Sequence, residues 1–541
     1  MELLILSALE KVFADEAPAA APVTRVSLLQ GDSVSVQAVF CGAQDGTAQL
    51  TLDGAAPGTA QVFAVEDVPV GHACSDDADD FYLRKTSGLY PDVLRPGCVC
   101  KTAAGRWQAF WIELIAQPQA QTTLTVTLSA GGETVSAPLT VETVPAQLPP
   151  QTLIHTNWYH ADGLCNYYGV KAMSEDFWRV NEAFLRMAVA HGINCILTPL
   201  FTPPLDTAVG HERTTVQLVG VQQRGGRYFF DFRNLRRWIA LCTDCGIRYF
   251  ELSHFFTQWG AKHAPKILVR DAKGRVKRRF GWQTDAAGED YRDFLRQFAV
   301  KLNAFLDAEG VMDRCFVHIS DEPSKDALAL YKKHAALIKA LFPRMQVLDA
   351  LSDFEFYEMG AVDLPVPCEH AIEAFRGKVP TLWTYYCGGQ GKNDLPNRFH
   401  AMPSVRNRVL GCLLYKYECK GFLHWGYNFY NTCLSLRPID PFQVTDAGNV
   451  FPSGDSFIVY PGEGGEPIPS LRMKVFADGL RDLRALQLLE SLIGREATMA
   501  LLEDGIPPLD FSTYPHDPAW LLGLRERVNQ KIKENSHAHS I

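Results

Sequence analysis

Apolar and polar residues alternate with a period of two through the first part of the chain. The runs Val26 to Leu29, Ser33 to Phe40, Ala48 to Leu52 and Thr123 to Leu128 each put apolar side chains on one face and polar ones on the other. That is the pattern of strands half-buried in an antiparallel sheet. Turn dipeptides such as Asp53-Gly54 and Gly131-Gly132 separate the runs. Short strands at this spacing predict a β-sandwich over residues 1–148. Pro145, Pro149 and Pro150 predict a stiff linker behind its last strand.

From residue 151 the rhythm changes. Eight short apolar runs appear in order: Ile154–His160, Cys195–Phe201, Tyr249–Phe255, Cys315–Ser320, Gln346–Leu351, Val362–Pro367, Thr381–Cys387 and Phe422–Tyr427. Amphipathic helical patterns follow most of them, including Phe177–Val189, Tyr291–Leu306, Ala327–Leu341 and Leu471–Leu489. Strands alternating with helices predict parallel βαβ units, and eight of them predict a TIM barrel. An open doubly wound sheet would carry a glycine-rich phosphate turn after its first strand, and none follows Ile154–His160. Arg213–Phe232 reads as a β-hairpin inserted after strand two. The expected fold is therefore multidomain β plus α/β: an N-terminal β-sandwich over 1–148, then a (β/α)8 TIM barrel with C-terminal helices over 149–541.

A chain of 541 residues exceeds one ordinary core, in line with two domains. A net charge of -9 argues against nucleic acid or an anionic membrane as partner, since both select basic surfaces. No stretch approaches the roughly 20 apolar residues of a membrane span. Leu3 to Leu6 is apolar but short and has no basic residue ahead of it, so it does not read as a secretory signal. The 14 cysteines need not staple so large a chain, and free thiols are expected. Together these set a cytoplasmic location as the expectation.

In a TIM barrel the site lies where the strands end. Strand one ends in Trp158, Tyr159 and His160. Strand three carries Glu251 and His254, followed by Gln258 and Trp259. Strand four ends in His318, Ile319, Ser320, Asp321, Glu322 and Pro323. Strand seven carries Trp383, Tyr385 and Tyr386, and strand eight His424, Trp425 and Asn428. Asp321 and Glu322 are the catalytic candidates. Two neighbouring carboxylates in a low-dielectric cleft do not both ionise easily, so one pKa rises, which suits a general acid. Neighbours on one strand end are poorly placed to flank a scissile bond from both sides. They suit substrate-assisted hydrolysis, in which the sugar's own 2-acetamido oxygen attacks, one acid protonates the leaving group and the other holds the acetamido N–H. Against this stands a bland alternative, in which Asp321 caps the following helix and Glu322 favours its dipole.

The stretch His318 to Pro323 resembles the acid motif of glycoside hydrolase family 123 and of the related domain of unknown function 4091. Other segments are similar in the same order: Tyr90 to Asp92, Gln258 to Gly260 with Pro265 and Lys266, Trp383 to Gly388, Gly421 to Phe429, and Ser470 to Arg472 with Asp478 to Leu480. The resemblance covers nearly the whole chain. It implies a retaining β-N-acetylhexosaminidase, of N-acetylgalactosaminidase type, working by substrate assistance. Glu322 matches the general acid/base and Asp321 the residue that orients the acetamido group. Tyr385 or Tyr386 would bond the acetamido oxygen. The substrate-binding candidates are Trp158, His160, Glu251, His254, Trp259, Trp383, Tyr385, Tyr386, Trp425 and Asn428. The expected partner is an oligosaccharide or glycoside; no metal or other cofactor is expected.

Other readings stay open on the residues alone. Glu251, Asp349 or Glu369 would serve as nucleophile on a sugar without an acetamido group, and a glycan-binding protein with a relic site is a further alternative. His160, His254 and His424 sit on different strand ends and could meet at a metal, though hydroxyl bonding or core satisfaction explains them as well. Cys242 and Cys245 lack a second pair at zinc spacing and read as structural thiols. Lys273–Arg279 reads as a solvated basic loop that could also meet an anionic substrate.

Overall fold

The computed structural model describes residues 2–258 and 260–536. The N-terminal region is two five-stranded sheets packed face to face. Strict alternation builds their shared core. In Gln121–Ala130, Leu124, Val126 and Leu128 point inward while Thr123, Thr125 and Thr127 point outward. They meet Val36, Ala38 and Phe40 of Ser33–Cys41 and Phe110, Ile112 and Leu114 of Trp107–Ile115. The apolar segment near the N-terminus is the edge strand Leu3–Ser7, antiparallel to Ser33–Cys41. The expected linker begins later than its first proline suggests, because the strand Glu133–Gln147 runs through Pro145 and pairs with Arg25–Gln30 as far as Gln147.

The second region is an eight-stranded parallel barrel. Its strands, Ile154–Asn157, Cys195–Thr198, Tyr249–Leu252, Cys315–Val317, Gln346–Ala350, Leu364–Val366, Trp383–Tyr385 and Gly421–His424, lie in the order six-five-four-three-two-one-eight-seven. A single parallel bridge from Cys368 to Tyr385 links strands six and seven and closes the ring. Each strand is shorter than its apolar run, because the run continues into the loop at the barrel mouth.

Helices Glu175–Ala190, Arg233–Cys245, Glu289–Ala308 and Leu328–Leu341 cover the first half of the barrel. The first is capped by Ser174, whose hydroxyl accepts the Phe177 N–H. After strands five and six the cover thins to the short turns Glu355–Glu358 and Glu369–Ala374. The barrel interior is filled by Cys195, Leu197, Phe316, Leu348, Val366 and Trp383. A Cβ on Gly421 would sit 2.0 Å from the Trp383 indole, so only glycine leaves room for that ring.

Strand two and strand three are each followed by an insertion, and the two join into one four-stranded sheet of Gly220–Arg224, Arg227–Asp231, Ile267–Arg270 and Val276–Phe280. The basic run Lys273–Arg279 is therefore the turn and outer strand of a hairpin rather than a loop. Arg275 pairs with Asp271, Arg278 with Glu212 and Arg279 with Asp290, which removes most of its free charge.

The two regions share an apolar cluster that includes Leu29, Trp111 and Val144 of the sandwich and Leu480 and Leu483 of the last long helix, Leu471–Ile493. At their junction Asp92 is fully buried and takes a bidentate ion pair from Arg472, at 3.0 and 2.9 Å. All 14 cysteines are free, and Cys242 and Cys245 are buried thiols on one helix. No helix among the described residues is long and apolar enough to cross a membrane.

Candidate active site

The fourth barrel strand stops at Val317, and the chain then bends sharply. Asp349 on strand five accepts the backbone N–H groups of Ile319 and Ser320 at 3.2–3.3 Å, and the Ser320 hydroxyl donates to Thr257 O at 2.9 Å. Glu322 has φ +41°, a left-handed conformation uncommon for a side chain larger than Asn or Asp, and its N–H donates to Ala350 O. The bend lets two consecutive carboxyls face one cavity, which a straight strand would forbid. The helical segment beyond begins at Lys325 behind Ser324, so Asp321 does not cap it.

The cavity at the barrel mouth has a volume of about 340 Å³. Asp321 and Glu322 line it together with Trp158 and His160 from the end of strand one, Tyr385 and Cys387 from strand seven and Trp425 from strand eight. Two long loops complete the wall. Leu205 and Asp206 come from the loop after strand two; Val450, Phe451, Pro452 and Asp455 come from the excursion after strand eight. Ser75 of the sandwich also reaches it.

Electrostatics separate the acids. Burial, the neighbouring Glu322 and then Asp349 push the Asp321 carboxyl well above the usual carboxylate range. Glu322 stays accessible from the cavity, and its Oε1 accepts the Tyr385 hydroxyl at 2.6 Å. Burial and then the adjacent Glu322 hold that phenol far above its ordinary pKa, so it remains a donor. Asp455 is pushed to about 7, chiefly by burial, and Asp206 to about 6 by the same cause.

Beneath the cavity floor runs a buried polar chain. The Trp158 indole N–H donates to Glu251 Oε2 at 2.8 Å; Glu251 Oε2 lies 2.8 Å from His318 Nε2, and His318 Nδ1 lies 3.0 Å from Asp349. Burial opposes charge on His318, but bonds to Asp349 and Glu251 outweigh it and raise the imidazole to about 9. His318 is therefore an imidazolium clamped between two carboxylates.

Several expected substrate contacts have other roles. Glu251 does not line the cavity; it is fully buried and engaged by His318, Trp158 and the Cys195 thiol. His254 lies below as well, stacked on His318 with ring centroids 4.2 Å apart. Trp383 packs inside the barrel, and Tyr386, one residue past Tyr385, turns outward against Phe422 and His424. Strand alternation thus leaves Tyr385 alone of the two tyrosines at the site. Asn428 braces strand eight to strand one through the His160 backbone.

His160 borders the cavity with both ring nitrogens already used. Nδ1 accepts from Arg213 at 2.9 Å and Nε2 donates to Trp425 O at 2.9 Å. Burial and then Arg213 lower its pKa to about 3. Trp259 lies outside the described residues. The alternative nucleophiles Glu251, Asp349 and Glu369 are all fully buried away from the cavity. Sequence reasoning did not single out Asp206, Phe451, Asp455 or Ser75, all on irregular segments without periodic signal.

His254, His318 and Asp349 bring possible metal-ligand atoms within 4.8 Å of one another. Both His318 nitrogens already face carboxylates, and His254 lies nearly parallel to it, so its in-plane lone pairs run past that ring rather than converging with it. The cluster does not fit a metal. His160 and His424 do not join it.

A model of the glycoside hydrolase 123 catalytic domain matches residues 158–489. Among solved structures, a family 123 glycoside hydrolase from Clostridium perfringens, described in work on glycolipid glycan hydrolysis, superposes with TM-score 0.75 at 13% identity and covers 99% of each chain. A Bacteroides uniformis β-glucuronidase aligns with TM-score 0.32 at 12% identity, over 88% of this chain and 51% of its own. No curated protein sequence matches the chain.

Proposed function

This chain belongs to glycoside hydrolase family 123, and on that footing we propose that it removes terminal β-linked N-acetylhexosamine, N-acetylgalactosamine first among them, with retention and by substrate assistance. The observation that carries the reading is the pairing of Asp321 and Glu322 on one bend, both facing a cavity walled by Trp158, Tyr385, Trp425 and Phe451. Indole and phenyl faces suit the apolar faces of a pyranose, and carboxylates suit its hydroxyls.

The roles follow from the environment of each acid. Burial and the neighbouring charge leave a proton on Asp321 when the cavity is empty. An acetamido N–H donating to Asp321 favours its charged form and displaces that proton within the pair. Glu322 then protonates the glycosidic oxygen as the acetamido oxygen closes on the anomeric carbon and the aglycone leaves. Asp321 balances the positive charge of the resulting oxazolinium. Glu322, now a carboxylate, takes a proton from a water whose oxygen bonds to the anomeric carbon from the side the aglycone left, breaking the bond from that carbon to the acetamido oxygen. The Tyr385 hydroxyl steadies the charged form of Glu322.

A separate protein nucleophile is the second reading, and Asp455 favours it by lining the same cavity. Against it, burial lifts that carboxyl to about 7, which weakens it as an attacking group. The test is inhibition: a thiazoline analogue should bind tightly and competitively, whereas a 2-fluoro sugar should leave no covalent label. A stable glycosyl adduct on any carboxylate would reverse the choice. The free cysteines fit work in a reducing, cytoplasmic compartment on short glycosides.

A further inference from the structure

The loop after strand two brings Asp206 to the wall of the cavity that holds Asp321 and Glu322. The protein consumes every polar atom of this residue but one. Its N–H donates to Gln258 Oε1, its carbonyl oxygen accepts the Ser435 hydroxyl at 2.6 Å, and its Oδ2 accepts the Leu434 N–H at 2.8 Å. Oδ1 has no hydrogen-bond partner among the described residues. It is not enclosed either: Asp206 is only half-buried, and Oδ1 keeps accessible surface. The remaining carboxylate on the wall, Asp455, has no such opening, because its Oδ1 is closed over against His424 Nε2. Once Asp321 and Glu322 are assigned to the reaction, Asp206 is the carboxylate left to read the sugar.

Its mounting is rigid and stands on the Asp321 side of the cavity. Asp206 has φ +38°, a left-handed conformation that Asp adopts more readily than most residues. Pro203 and Pro204 stiffen the chain before it. Arg213, in a buried ion pair with Asp162, donates to Leu205 O at 3.1 Å. Leu434 and Ser435 tie Asp206 to the excursion after strand eight. Gln258 ties it toward the acid pair: the carbonyl of the preceding Thr257 accepts the Ser320 hydroxyl at 2.9 Å, and Ser320 adjoins Asp321. The Asp206 charge accordingly joins those that raise the Asp321 carboxyl. So firm a mounting suits a group that reads position rather than one that moves during reaction.

We infer that Asp206 is the specificity-determining acceptor for the C3 hydroxyl of the terminal sugar, so that the enzyme takes N-acetylhexosamine residues unsubstituted at C3. The inference rests on the hexosaminidase reading above. Asp321 holds the acetamido N–H on C2, and C1 carries the leaving oxygen beside Glu322. The ring hydroxyl next to the acetamido group is then the one on C3, and Asp206 is the open acceptor on that side. Burial holds the Asp206 carboxyl at about 6; a sugar O–H donating to it favours its charged form. A substituent on that oxygen removes the donor and crowds the wall.

The test is kcat/KM for an aryl N-acetylgalactosaminide or N-acetylglucosaminide, whichever turns over faster, and for its 3-, 4- and 6-deoxy analogues, with wild type and Asp206→Asn. The amide keeps the shape: its oxygen still accepts the Leu434 N–H while its NH2 takes the place of the open oxygen. The substitution should lower kcat/KM roughly 10- to 100-fold on the parent and on the 4- and 6-deoxy sugars, the effect of a hydrogen bond to a charged group, and change it less than about twofold on the 3-deoxy sugar. If the loss is the same on every sugar, is absent on the parent, or vanishes on the 4- or 6-deoxy sugar instead, the inference is wrong while the hydrolase reading stands. Wild type inactive on all N-acetylhexosaminides would overturn both. Should Asp206→Asn not fold, Asp206→Glu keeps the charge but advances it by one methylene, and it should show the same loss confined to sugars with a C3 hydroxyl; a uniform loss there also counts against the inference.

Discussion

The Tyr385 hydroxyl donates to Oε1 of Glu322 at 2.6 Å, joining the end of strand seven to the bend after strand four across the barrel mouth. The bond holds in one place a side chain whose backbone sits at φ +41°. It also provides a charge-assisted donor for the state in which Glu322 has given up its proton.

Tyr385→Phe should therefore lower kcat/KM roughly 10- to 100-fold, the range for losing a hydrogen bond to a charged group. Ring packing is preserved, so the melting temperature should move little. Tyr386→Phe, whose hydroxyl is buried and unpartnered outside the cavity, should leave activity close to wild type. Equal losses in the two variants would show that the wrong tyrosine has been placed at the site.

Asp92→Ala should be among the most destabilising single changes. It leaves the Arg472 guanidinium, 1% exposed, without its carboxylate. Breaking a buried pair in this way costs about 3–5 kcal/mol, read as an earlier first transition in a denaturant titration. Arg472 also holds the carbonyls beside Asp455, so activity should fall below what the folded fraction explains. A change under about 1 kcal/mol would mean the pair is not the clasp between sandwich and barrel.

His318 should keep its ring proton well above neutrality. Its pKa rises to about 9 on folding, so the stability it adds is complete below about pH 6.5 and is lost as pH climbs through 9. His155 and His191 carry the opposite sign. Burial holds both near 3, so the unfolded chain gains protons they refuse, and their contribution weakens as pH falls below about 6.5. Imidazole nitrogen shifts from selectively labelled protein check this directly. A His318 ring already neutral at pH 7 would remove the charged chain from beneath the site.

Much of this architecture was legible in the order of residues. Alternation in Thr123 to Leu128 and the repeated strand-then-helix rhythm after residue 151 report burial on one face and on both, and burial is what the fold satisfies. The barrel rule then pointed to strand ends, and Asp321, Glu322, Trp158, Tyr385 and Trp425 do line one cavity. What failed was the assignment of side-chain direction. Tyr385 and Tyr386 differ by one position and hence by a whole face, and no pattern in Trp383 to Cys387 announces the register. Glu251 and His254 read as mouth residues, but they lie one layer down, consumed by His318 and its neighbours. Asp455, Phe451 and Ser75 were invisible for another reason. They sit on irregular chain whose position is set by distant contacts, such as the Ser453 N–H donating to His72 O at 2.8 Å. Linear spacing carries no trace of such contacts.

The most direct measurement is turnover of an N-acetylhexosaminide with a poor leaving group, such as an alkyl glycoside, by wild type and Glu322→Gln. The account predicts a fall of about 10²- to 10⁴-fold, the contribution of a positioned general acid, and a smaller fall on a nitrophenyl glycoside, whose leaving group needs little protonation. Full activity of Glu322→Gln on the alkyl glycoside would contradict it.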